Sequence, residues 1–91
     1  MGVASNSNTP EAILQQLARD EETLVRTQVA RNPNTPVEIL QQLAQEEDGR
    51  VRRGVAENTN TPVALLQQLA QDKNEGVCDR AIKTLREKGL R

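Results

Sequence analysis

Two arginines, Arg26 and Arg52, stand 26 residues apart, and each has an acid six residues upstream: Asp20 before Arg26 and Glu46 before Arg52. The third copy of the offset keeps its acid, Asp72, but has Cys78 where the arginine would be. With Val25 as the origin of a helical wheel, Arg26 falls at ~100°, between Val29 at ~40° and Ala30 at ~140°. That is the apolar side of the helix, where a guanidinium needs a partner and a carboxylate matches it best. If each arginine reaches the acid of the following unit, the pairs are Arg26–Glu46 and Arg52–Asp72. Position 78 then needs no arginine, because no fourth unit follows. The alternative is that the arginines bind an anion; the repeat logic favours structural pairs.

Other chemistry is thinly represented. Cys78 is the only cysteine and there is no histidine, so an internal disulfide and a Cys/His metal cage are excluded. The nearest upstream cation to Cys78 is Lys73, and a small, partly buried filler is the expected role of such a thiol. The acidic stretches Asp20-Glu21-Glu22 and Glu46-Glu47-Asp48 lack the alternating ligands and the glycine of a calcium loop, and read as solvated edges. There is no glycine-rich phosphate loop. No catalytic residue, metal or cofactor is expected.

Two surfaces could hold a partner. The pairs Gln15-Gln16, Gln41-Gln42 and Gln67-Gln68 recur without change and flank an apolar stripe at ~200° and ~300°. They read as a soluble, helix-favouring flank, or as an uncharged hydrogen-bonding strip that a partner covers without desolvating ions. The second surface is basic: Arg80, Lys83, Arg86 and Lys88 crowd the last segment. Charges elsewhere do not repeat in sign, Arg31 aligning with Glu57 and Lys83, so no basic stripe tracks the chain. No aromatic residue is present to stack on bases.

These residues are positioned by a repeat. Asn-Thr-Pro occurs at Asn8, Asn34 and Asn60, and Leu-Gln-Gln-Leu-Ala at Leu14, Leu40 and Leu66. In each unit Thr-Pro reads as a helix start, with Thr capping and Pro at the first helical position. A first helix of about ten residues carries Ile13, Leu14, Leu17 and Ala18, or their equivalents, on one stripe. After the acidic turn comes a shorter second helix with Val25, Val29, Ala30 or Val51, Val55, Ala56. The units are 8–33, 34–59 and 60–91, preceded by a remnant of a second helix, 1–7, as N-terminal cap. Residues 77–91 read as a lengthened closing helix continuing to Gly89. At 91 residues the units must share one core.

The run Val25 through Ala44, V-R-x-x-V-A-x-N-P-x-T-P-x-x-I-L-x-x-L-A, resembles the leucine-rich repeat variant family, a bacterial relative of HEAT and armadillo repeats. The resemblance implies an all-α, right-handed α-solenoid in which α-helices alternate with shorter α- or 3₁₀-helices. It also implies a ladder of acid and arginine between neighbouring units, here Arg26, Glu46, Arg52 and Asp72. The cysteine cluster that the iron–sulfur module attached to one member of the family needs is absent here.

Twelve basic and thirteen acidic residues nearly cancel. The start lacks the apolar core of a signal peptide, and no apolar run approaches the roughly 20 residues that span a bilayer. The expectation is a cytoplasmic, non-enzymatic scaffold for a protein or peptide partner, bound with little dependence on salt. It would be a monomer or weak homo-oligomer, with no membrane contact. Weak nucleic-acid binding through the basic last helix and Arg50–Arg53 is the alternative.

Overall fold

A computed structural model describes residues 10–89 as six α-helices, with no strand among them. They alternate in two sets. The first helices of the units are α1 (Glu11–Leu17), α3 (Val37–Leu43) and α5 (Val63–Leu69). The second helices are α2 (Thr23–Arg31), α4 (Gly49–Glu57) and α6 (Glu75–Glu87). The second helices form the spine, α2 packing on α4 and α4 on α6. The first helices lie alongside, each contacting its own unit's second helix, with α3 also meeting α2 and α5 meeting α4. This is a helical-repeat stack.

The apolar stripes produce one continuous core. Leu14, Leu40 and Leu66 are completely buried, as are Val29, Val55, Ala30 and Ala56 on the spine. Ile39 and Leu65 are buried too, whereas their counterpart Ile13 is 38% exposed. Each first helix buries one face and α4 is packed between α2 and α6, so the stack is stabilised by apolar area shared between units.

The helix lengths reverse the expected order. The first helices have seven residues and the second have nine, nine and thirteen. All six are α-helical; no second helix is 3₁₀. The first helices are short because proline lies just outside them. Pro10, Pro36 and Pro62 have ψ near 150°, an extended conformation. At the other end, Ala18, Ala44 and Ala70 close the helices. The last residue of the turn precedes each second helix, and its side chain caps α4 and α6 but not α2, where Glu22 makes no such bond. Asp48 accepts from the Arg50 N–H, and Asn74 from those of Gly76 and Val77.

Threonine does not cap its own helix. The Thr35 hydroxyl donates to Val29 O at 2.6 Å and Thr61 to Val55 O at 2.7 Å, both in the last turn of the preceding helix. The carbonyls at a helix end lack intrahelical donors, and a buried hydroxyl needs an acceptor, so the two satisfy each other. The closing helix stops at Glu87 rather than continuing to Gly89, which has φ +80°, the left-handed conformation that ends helices. The proposed cap remnant, 1–7, and Thr9 lie outside the described residues, as does Leu90.

Candidate functional site

The seam between units is built around the two arginines. Arg26 Nε lies 3.1 Å from each carboxylate oxygen of Glu46. Arg52 grips Asp72 with both arms of its fork, Nε to Oδ2 at 2.8 Å and Nη2 to Oδ1 at 3.0 Å. The remaining amine turns back onto its own unit. Arg26 Nη1 donates to Asp20 O at 2.7 Å and Glu21 O at 3.0 Å, and Arg52 Nη1 to Glu46 O at 2.7 Å and Glu47 O at 2.8 Å. The acid six residues upstream thus serves its own arginine through its backbone carbonyl. The carboxylates of Glu46 and Asp72 are what the preceding unit's arginine takes. One guanidinium therefore fixes the turn before its own helix and the turn of the next unit.

Burial makes the second pair the tighter one. The side chains of Arg52 and Asp72 are 10% and 12% exposed, against 16% and 24% for Arg26 and Glu46. Hydrogen bonding from Arg52 holds the Asp72 carboxyl below its ordinary value, against the opposing effect of burial. The same bonds push the Arg52 guanidinium up. Asp72 Oδ1 also accepts from Asn74 N–H at 2.8 Å, which shapes the turn before α6.

At position 78 the arrangement changes. Cys78 is partly buried, and its Sγ donates to Ala70 O at 2.9 Å, so it reaches neither its own turn's acidic residues nor beyond.

A second ladder went unrecognised at the level of sequence. Asn58 is buried and its side-chain amide donates to Ala30 O and Asn32 O, both at 2.9 Å, in the preceding unit. The Asn60 amide donates to Pro33 O across the same junction. Thr84, which replaces the third asparagine, keeps one of these links by donating to Ala56 O at 2.6 Å. The signal was the spacing itself: Asn32 and Asn58 follow the last apolar residues of their helices at the repeat interval. A polar residue so placed meets the unpaired carbonyls at the end of a neighbouring helix.

The six glutamines of the three Gln-Gln pairs are all exposed. Gln41, Gln42, Gln45 and Gln68 line an open groove of about 580 Å³ between α3 and α5, together with Glu38 and the apolar Pro62, Ala64 and Leu65. Gln15 and Gln16 border a separate depression on α1, and Gln67 borders one near α6. The four basic residues of the last helix are not equivalent. Lys83, Arg86 and Lys88 are exposed, but Arg80 is partly buried and its Nη2 pairs with Glu57 at 3.4 Å. Among the described residues no cluster of acids, cysteines or histidines could hold a metal ion, and no helix is long and apolar enough to cross a membrane.

The model of the Leucine Rich Repeat Variant domain matches the chain over two overlapping stretches, residues 2–59 and 25–81. Neither a search of curated proteins nor one of solved structures returns a match.

Proposed function

The chain belongs to the leucine rich repeat variant family, and from that premise we propose that it is a non-enzymatic helical-repeat scaffold that binds a protein or peptide. The observation that carries this is the groove between α3 and α5. Its glutamines offer amide donors and acceptors that can pair with a peptide backbone, and Pro62 and Ala64 offer apolar surface between them. The surface is nearly uncharged, with Glu38 the one ionic side chain lining it, so binding needs little ion desolvation and responds weakly to salt. The chain has no aromatic residue, so large aromatic anchors must come from the partner, and affinity is modest. A cytoplasmic location accords with the lone, partly buried thiol.

The test compares the wild type with Gln41→Glu/Gln68→Glu as baits in host lysate, at low and high salt. Supporting the reading is a protein retained at both salt concentrations by the wild type and lost by the variant, with equal melting temperatures. Retention by both would place the contact elsewhere. Tight binding of an oligonucleotide near physiological salt, abolished by Lys83→Glu/Arg86→Glu, would replace this reading with the nucleic-acid one.

A further inference from the structure

A second groove lies between α2 and α4, on the spine helices. It encloses about 370 Å³ and is lined by Thr23, Leu24, Thr27, Arg31, Arg50 and Arg53, with Glu57 at one end. We propose that this groove docks an acidic peptide segment carrying an aliphatic residue, a contact separate from the glutamine groove and independent of it.

The charge balance on this face points to a carboxylate partner. Arg50 is held by Asp48, with Nε to Oδ1 at 3.2 Å and Nη2 to Oδ2 at 3.0 Å. Glu57 is shared by two cations, Arg31 Nε at 3.6 Å and Arg80 Nη2 at 3.4 Å. Arg53 is exposed and has no hydrogen-bonded or ionic partner among the described residues. Four arginines, Arg31, Arg50, Arg53 and Arg80, thus face two carboxylates, Asp48 and Glu57, leaving two positive charges on a chain whose net charge is −1. The excess is local and attracts anions at short range. Reading charge signs unit by unit hides it, because Arg31 and Glu57 occupy equivalent positions yet pair with each other.

Apolar surface in the same groove selects peptide over nucleic acid. Leu24 is 59% exposed, the most exposed large apolar side chain described, and lies among the arginines. An aliphatic side chain gains by covering it, whereas a phosphate backbone does not. A continuous phosphate track would also pass the Asp48 and Glu57 carboxylates, and no aromatic ring is available to stack a base. Carboxylates flanking a small aliphatic residue match both features.

The experiment measures binding of a fluorescein-labelled peptide of alternating glutamate and leucine to the full chain. It uses the wild type, Arg53→Glu, Arg53→Gln, Leu24→Ser and Gln41→Glu/Gln68→Glu, each checked for an unchanged melting temperature. Expected are a loss of about tenfold or more in Arg53→Glu, a smaller one in Arg53→Gln and in Leu24→Ser, and weakening of the wild type as salt rises. The glutamine variant should bind the peptide as the wild type does, even if it loses its lysate partner, which separates this inference from the proposed function. Unchanged affinity in both Arg53 variants would overturn it. So would equal binding of a serine–leucine peptide, or tighter binding of a single-stranded oligonucleotide. Light scattering that shows dimers abolished by Arg53→Glu and unaffected by the peptide would assign the groove to a second copy of the chain instead.

Discussion

The Arg52 guanidinium takes part in four hydrogen bonds, two to Asp72 and two to backbone carbonyls of its own turn. Removing it leaves a largely buried carboxylate and two carbonyls without their donor. Arg52→Ala should therefore cost about 3–5 kcal/mol, while Arg53→Ala, at an exposed position, should stay within about 0.5 kcal/mol. Urea denaturation of both variants checks this, and equal midpoints would remove the pair as a source of stability. Arg52→Lys should lie between wild type and alanine, since a lysine has the charge but not the fork that spans both partners. Acidification acts on the same pair. The folded Asp72 carboxyl lies below its ordinary value of 3.8, so its contribution is fully present above that pH and is lost as pH falls through the folded value. Below about pH 3.8 the wild type should lose stability more steeply than Asp72→Asn, which is already weaker at neutral pH. Parallel urea midpoints for the two across that range would show that the pair does not govern acid stability. At this scale, the spacing of Arg26, Arg52 and the acids was legible in the sequence. The part played by backbone carbonyls was not, because their direction follows from a turn conformation that side-chain identity does not encode.

Gly54 of α4 faces α2 at close range. A Cβ placed there would lie 2.9 Å from the Ala30 Cβ and 3.1 Å from Thr27 O. Both neighbours belong to the helix itself or sit next to it, so neither can swing aside as the end of a long side chain would. Alanine in a helix interior gains about 1 kcal/mol over glycine in propensity, but overpacking costs about 1–3 kcal/mol. Gly54→Ala should therefore be destabilising on balance, and thermal melting reads the sign; a stabilised variant would mean that α2 and α4 separate easily. The asparagine ladder supplies the second link between neighbouring units. Asn58→Ala removes the donor from two buried acceptors, Ala30 O and Asn32 O, and should cost about 1–3 kcal/mol in the same assay. A loss no larger than that of an exposed alanine substitution would show that these carbonyls find other donors.

At the scale of the molecule, stability depends on the ends of the stack as well as its seams. Residues 84–87 complete α6: Thr84 donates to Ala56 O in the preceding unit, and Leu85 is buried. Deleting residues 84–91 removes both and uncovers partly buried Ile82 and the apolar face of α5. Terminal units that lose their outer cover expose core to solvent. The truncated chain should lose cooperative melting or aggregate. A monomer by light scattering with an unchanged melting profile would show that the last turns of α6 are dispensable.

Periodicity in the sequence was enough to establish an all-helical repeat. Its apolar positions recur at helical spacing, and helices too short to bury a face alone must stack. The arginine–acid spacing could be read for the same reason, since a cation on an apolar face requires a partner. Helix boundaries could not, because they depend on whether Thr35 and Thr61 turn their hydroxyls to their own helix or to the one before, and on which turn residues cap, as Asp48 and Asn74 do and Glu22 does not. Those choices are made by burial and by which carbonyls remain unpaired once the units pack. The same holds for the groove at Arg53: its excess positive charge arises from pairing between adjacent units, a proximity that exists only after the spine helices have come together.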